Sequence, residues 1–91
     1  MIKNEIIELI DNFLQENPEG IITLCQNKPI WEKNKYGISF TKGSYTNPNK
    51  IQWEEYGVLI RETLGYSLIT GKHVYIPYEH ITSILLEDTI G

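Results

Sequence analysis

The stretch 71–88, GKHVYIPYEHITSILLED, constrains the fold more than any other part of the chain. Its side chains first alternate with the two-residue period of a strand. Pro77 then interrupts the pattern, because proline cannot donate a hydrogen bond to a neighbouring strand. The stretch therefore predicts a strand, a short turn anchored at Pro77 and a final strand over 81–86. Pairing of this last strand with 21–25 would cover one exposed sheet edge.

The length and the cysteine content limit the class of protein. A chain of 91 residues is expected to form one domain over 1–91 with a thin core. Cys25 is the sole cysteine, which excludes an intrachain disulfide and is typical of a protein from the reducing cytoplasm. The sequence contains neither the ~20-residue apolar run of a membrane span nor the pattern of a signal peptide. We therefore expect a cytoplasmic protein without a membrane partner.

The first part of the chain predicts a helix over 1–17. Asparagine and proline at 17–18, followed by Gly20, end this pattern because proline disfavours α geometry in the residue before it. Because a helix of this length is not stable alone in water, its apolar face must dock on the sheet or on a second copy of the chain. The residues that share this face are Ile2, Ile6, Leu9, Ile10, Phe13 and Leu14.

Beyond Gly20 the apolar residues follow the period of strands. Runs at 21–25, 36–41 and 51–61 precede the stretch 66–86, and Gly57 predicts a bulge or tight bend inside its run. The predicted fold class is α+β, mainly β. It consists of the N-terminal helix followed by a five-stranded, bent antiparallel sheet, or by a small barrel, over 20–88.

Two aromatic residues receive opposite predictions. Trp53 lies within an apolar run and is expected to anchor the core. Tyr45 lies in the polar sequence 42–50, KGSYTNPNK, which predicts an exposed loop with this ring in solvent.

Residues 66–76, YSLITGKHVYI, predict a hairpin with two different faces. A glycine before Lys72 fits a two-residue turn, which would pair Leu68 with Tyr75. One face would then be aliphatic and point into the core, with Ser67, Ile69, Val74 and Ile76. The other would be aromatic and polar and would offer a binding surface. Together with the turn that follows, the candidate binding residues are Tyr66, Leu68, Thr70, His73, Tyr75, Tyr78 and His80.

The order of these elements resembles the Sm-like fold and the SH3-like barrels. Val74-Tyr75 followed by Ile81-Thr82-Ser83-Ile84 is similar to the last strand pair of the bacterial Sm-like RNA chaperone. Tyr78-Glu79-His80 approaches the tyrosine-lysine-histidine motif of that family, but a glutamate replaces the lysine. The Asp-x-apolar-Asn element that contacts RNA bases in the family has no match. The resemblance thus implies a small barrel and assembly through edge strands, without RNA-binding residues.

The charged and chemically reactive residues favour binding over catalysis. The net charge is −4, which opposes general nucleic-acid binding. A turn separates His73 from His80, and no further ligands complete a metal site, so we expect neither a metal nor a cofactor. Cys25 lies in an apolar strand, a poor setting for a reactive thiolate. The chain is therefore not expected to be an enzyme.

Three functions remain as hypotheses. The first is a small bacterial or phage accessory protein, such as an inhibitor, immunity protein or adaptor, whose partner is another protein. The second is an Sm-like nucleic-acid binder that uses the lysines between 28 and 50. The third is capture of a nucleotide or other small ligand between subunits. In each case we expect a homo-oligomer, because a thin barrel leaves apolar surface and open edges.

Overall fold

The structure is a computed structural model that describes residues 1–30, 33–62 and 72–88. Its main elements are one long helix, one short helix and six strands. In chain order they are α1 (Lys3–Glu16), β1 (Ile21–Gln26), β2 (Gly37–Phe40), α2 (Lys42–Tyr45), β3 (Ile51–Trp53), β4 (Gly57–Glu62), β5 (Lys72–Pro77), a 3₁₀ turn (Tyr78–His80) and β6 (Ile81–Glu87). The predicted class, α+β and mainly β with an N-terminal helix, is confirmed.

Helix α1 forms where its apolar period predicts it. Ile6, Ile10 and Leu14 recur every four residues, so they lie on one face and are buried. The helix ends at Asn17, whose backbone N–H donates to the carbonyl of Phe13 at 2.9 Å. A side chain at Gly20 would collide with the Phe13 ring, so glycine lets the chain turn closely under the helix.

The strands form two antiparallel sheets of three strands each, in the orders β2-β1-β6 and β3-β4-β5. The described residues alone contain six strands, so the predicted number of five is wrong. The run 51–61 forms a hairpin and not a single strand. The backbone N–H of Glu54 donates to the carbonyl of Gly57 at 2.9 Å, and this hydrogen bond closes the turn at which the chain reverses. Within the described residues the two sheets are not joined into a closed barrel, so the barrel alternative is also wrong there.

The pairing of the last strand with the first is confirmed. β6 runs antiparallel to β1, with Ile22 opposite Leu86 and Leu24 opposite Ile84. Both β1 residues are fully buried, and they belong to the same core cluster as the buried residues of α1.

The structure describes only the second strand of the predicted hairpin. β5 pairs with β4, with Ile76 opposite Val58, and its ladder ends at Pro77 as expected from the missing amide hydrogen. The predicted partner strand 66–70 and Gly71 lie outside the described residues. Lys72, the second residue of the predicted turn, belongs to β5 and lies opposite Glu62 of β4.

A row of aromatic rings connects the two sheets through the core. Tyr45 stacks on Phe40 at 6.3 Å between ring centroids and meets Trp53 edge-on at 6.0 Å. Trp53 in turn stacks on Tyr78 at 6.2 Å. The prediction that Trp53 anchors the core is confirmed, since its ring packs against the buried cluster.

Two tyrosines are more buried than their polar neighbours in the sequence suggest. Tyr45 is expected in solvent, and this prediction is wrong, because α2 forms within the polar stretch and turns the half-buried ring toward Phe40 and Trp53. Tyr78, one of the candidate binding residues, is only 5% exposed and belongs to the core. In both cases burial stabilises the aromatic ring.

Candidate functional site

The best candidate for a functional site is an open groove of about 510 Å³, hereafter the aromatic groove. Four segments contribute to it: the start of α1, the β3–β4 turn, the end of β5 and the 3₁₀ turn. Its lining residues are Met1, Ile2, Lys3, Glu55, Tyr56, Tyr75, Pro77, Tyr78 and Glu79.

Backbone hydrogen bonds hold two of these segments together. The β3–β4 turn is closed by the bond from Glu54 to Gly57, and Tyr56 lies at its tip. The N–H of Tyr78 donates to the carbonyl of Tyr56 at 3.1 Å, which ties the 3₁₀ turn to the hairpin turn. The two turns therefore form one wall, although 22 residues separate Tyr56 from Tyr78 in the sequence.

The ring of Tyr75 packs against the backbone at Gly57, which is possible because Gly57 lacks a side chain. A Cβ atom at Gly57 would lie 2.5 Å from Cζ of Tyr75 and 2.8 Å from the carbonyl oxygen of Ile76. The ring thus lies across the backbone of the adjacent strand, where a glycine allows close approach. This contact directs Tyr75 along the sheet surface toward the groove.

Tyr78 forms the floor of the groove. Its hydroxyl donates to the backbone carbonyl of Glu54, and its ring stacks on Trp53. Burial, with smaller contributions from nearby Tyr75 and Glu54, raises the pKa of Tyr78 to about 12, so the phenol keeps its proton and keeps donating further into the alkaline range than an ordinary tyrosine does.

The groove exposes an unusual amount of apolar and aromatic surface. Tyr56 is 74% exposed, Ile2 is 61% exposed, and Met1 and Tyr75 are each 46% exposed. Single exposed hydrophobic side chains are common on proteins, but four around one groove form a contiguous patch. Such patches mark places where a ligand or another protein binds.

The rim of the groove carries charges of both signs. Glu55 and Glu79 are exposed there, and Lys3 and the backbone amino group of Met1 lie among the same lining residues. Lys3 forms no ion pair with either glutamate within the described residues. Glu79 instead lies 4.0 Å from Nε2 of His80, an interaction that requires a protonated imidazole.

The groove includes only part of the site predicted from the sequence. Tyr66, Leu68 and Thr70 lie outside the described residues. His73 and Tyr75 are exposed, whereas Val74 and Ile76 point to the core, so the alternation predicted for the described half of the hairpin is confirmed. Tyr75 and Tyr78 line the groove, while His73 and His80 do not.

The sequence-based prediction missed the residues from the other segments. Met1 and Ile2 precede the helix, and Glu55 and Tyr56 occupy the hairpin turn. The sequence EEYG between two apolar runs was the available signal, since an aromatic residue at the tip of a tight turn has nothing to pack against locally.

Metal-binding and membrane-spanning features can be assessed for the described ranges. Within 1–30, 33–62 and 72–88 no three His, Cys, Asp or Glu side chains cluster as metal ligands would. In the same ranges, neither helix has the length and apolar character needed to span a bilayer.

Comparisons with protein-family models, curated proteins and solved structures give no significant match. The resemblance to the Sm-like fold therefore stays a prediction.

Proposed function

We propose that the protein is a non-enzymatic accessory protein that acts in the cytoplasm by binding another protein through the aromatic groove. Its role would be that of an inhibitor, an immunity protein or an adaptor. The observation that carries the proposal is the group of exposed side chains around one groove: Met1, Ile2, Tyr56 and Tyr75. Tyrosine and methionine are enriched in protein interfaces because they offer large contact areas.

The construction of the groove supports this role. Tyr75 is held against Gly57, and Tyr78 is fixed by its hydroxyl and by Trp53. Side chains that are already held in place lose less conformational entropy on binding than mobile ones. A partner would thus meet a partly preorganised surface.

The position of the lysines disfavours the nucleic-acid alternative at this site. Lys3 is the one lysine among the lining residues, and Glu55 and Glu79 on the same rim would repel phosphates. None of the five lysines between 28 and 50 lines the groove. A protein segment avoids this repulsion, so it is the partner that the groove fits best.

The test is a selection of binding peptides from a displayed random library. Peptides that bind the protein should lose affinity for a Tyr56→Ser variant and keep it for a Tyr36→Ser variant. Tyr36 is a suitable control because it is 46% exposed, as Tyr75 is, but lies outside the groove. Failure to recover any peptide that depends on Tyr56 would count against the proposal.

A further inference from the structure

We infer that β6 pairs in antiparallel orientation with β6 of a second copy of this chain, so that Leu85 lies opposite Leu85 and the two β2-β1-β6 sheets join into one continuous sheet. This inference is independent of the proposed function, because none of the residues of β6 lines the aromatic groove. Three observations carry it: the open edge of β6, the alternation of its side chains and the position of its charges.

β6 is the most open sheet edge in the described part of the chain. It has seven residues and pairs only with β1 there, so its other side presents backbone N–H and C=O groups to a further strand. The other edge strands are shorter or interrupted, since β2 and β3 have four and three residues and β5 begins with Lys72 and ends with Pro77. Lysine, proline and short length all discourage pairing at an edge, and the sequence 81–87 contains no lysine, arginine or proline. This edge therefore favours the addition of another strand.

The side chains of β6 alternate between the core and the outer face of the sheet. Ile84 lies opposite Leu24 and Leu86 opposite Ile22, and both β6 residues pack against the core cluster. Leu85 lies between them on the outer face and is 50% exposed. A paired strand must keep this alternation, because a shift by one residue would set core-facing side chains beside outward-facing ones. Of the registers that keep it, the one centred on Leu85 places the two exposed leucines in contact.

The register centred on Leu85 also matches the neighbouring pairs. It places Ile84 opposite Leu86 of the second copy, which extends the aliphatic layer on the core side. On the outer face it places Ser83 opposite Glu87 of the second copy, where the serine hydroxyl can donate to the carboxylate. A register shifted by two residues in either direction would instead set Glu87 opposite an aliphatic side chain. The sequence of the strand thus selects one register.

The charges favour an antiparallel pair with a second copy as the partner. Glu87 and Asp88 are the charged residues of the sequence 81–88, and they lie together at its end. In a parallel pair the carboxylates of the two copies would lie side by side and repel each other. In the antiparallel pair the strand keeps them apart, and the acidic end of one copy meets the hydroxyl end of the other. The strand is therefore complementary to itself, as a twofold interface between identical chains requires.

Disulfide cross-linking tests both the pairing and its register. The native thiol is removed by Cys25→Ser, and single cysteines are then introduced at exposed positions by Leu85→Cys, Ser83→Cys or Glu87→Cys. Directly opposite residues have Cα atoms about 4.5–5.5 Å apart, which a disulfide spans, whereas residue 83 would lie about 14 Å from residue 83 of the second copy. Asn12→Cys, at an exposed position of α1, measures cross-linking by random collision.

The expected rates follow from the register. In mild oxidant at about 0.1 mM protein, Leu85→Cys should form disulfide dimers about 10-fold faster than Asn12→Cys, because paired thiols meet at an effective concentration in the mM range. Ser83→Cys and Glu87→Cys should each match the control, whereas an equimolar mixture of these two should cross-link faster. Thermal unfolding of the reduced variants checks that the fold is retained. If Cys25→Ser does not fold, the same series is made with Cys25 kept and the unaltered chain as its background.

Two outcomes would overturn the inference. Equal rates for Leu85→Cys and Asn12→Cys would show that the edge of β6 does not meet a second copy. Fast cross-linking of Leu85→Cys without any gain in the mixture of Ser83→Cys and Glu87→Cys would show that the outer faces meet instead of the edges. Neither outcome affects the peptides that depend on Tyr56, so the proposed function is tested separately.

Discussion

The hydroxyl of Tyr45 donates a hydrogen bond to Oδ1 of Asp11 at 2.6 Å. This bond joins α2 to α1 across 34 residues of sequence, beside the ring contacts of Tyr45 with Phe40 and Trp53. Burial, then the hydrogen bond to Asp11 and its charge, raise the pKa of Tyr45 well above the usual range. The phenol is therefore a permanent donor that fastens the helix to the sheets.

Removal of this hydroxyl should lower stability while keeping the ring in place. We expect Tyr45→Phe to reduce the free energy of unfolding by about 0.5–1.5 kcal/mol, the usual net value of one hydrogen bond. Urea denaturation followed by circular dichroism measures this change. Tyr36→Phe is the matched control, because the Tyr36 side chain is exposed and its hydroxyl forms no hydrogen bond within the described residues. Equal stability of both variants would show that the Asp11 contact contributes nothing.

Alkaline pH should destabilise the protein through Tyr78. An unfolded tyrosine ionises near pH 10, whereas the folded state holds the pKa of Tyr78 at about 12. Below pH 10 both states keep the proton and the stability is fully present. As the pH rises from 10 through about 12, the unfolded state loses its proton first, so the free energy of unfolding falls.

Comparison with Tyr78→Phe isolates this contribution. The variant should be less stable at neutral pH, because it loses the bond to the Glu54 carbonyl, but its stability should fall less steeply above pH 10. Urea midpoints over a series of alkaline pH values provide the measurement. Parallel curves for the two proteins would contradict the assignment to Tyr78.

Substitution of Gly57 should disturb both stability and the groove. In Gly57→Ala the added methyl group would meet the Tyr75 ring and the carbonyl of Ile76, so we expect a loss of about 1–3 kcal/mol from overpacking. Gly43→Ala is the control, since a Cβ atom at Gly43 meets nothing within 4 Å and alanine favours the helix there. Thermal unfolding of the two variants should shift in opposite directions, and a neutral Gly57→Ala would refute the packing argument.

We also expect the chain to self-associate through β6. Among the described strands it lies at the edge of its sheet, its Leu85 is 50% exposed, and the sequence 81–87 contains no lysine, arginine or proline to block pairing. Light scattering should give a mass near twice 10.6 kDa. Leu85→Lys should reduce this mass, whereas Leu9→Lys, on the surface of α1, should not. A mass of one chain at high concentration would reject the prediction.

The elements that local patterns specify could be predicted from the sequence. Helix α1 follows from its apolar period, and the β1–β6 pairing from two aliphatic runs that need partners. The helix and each of the two strands are specified by residues close together in sequence, although β1 and β6 themselves lie far apart in the chain.

The groove and the burial of Tyr45 could not be predicted in this way. Tyr45 lies in a polar segment, and its partner Asp11 comes from a distant helix. The groove likewise combines Met1 with Tyr56 and Tyr75, which only the packing of α1 beside the second sheet brings together. Neither relationship leaves a periodic signal, because each depends on how separate elements meet.

The stacking of Trp53 on Tyr78 gives the protein an intrinsic optical probe. The indole lies directly behind the floor of the groove. A bound ligand that shifts the Tyr78 ring would therefore change the fluorescence emission of Trp53. Trp31 is the other tryptophan of the sequence, and its replacement by phenylalanine would leave Trp53 as the single tryptophan. Ligand binding in the aromatic groove could then be followed in solution without attaching any label.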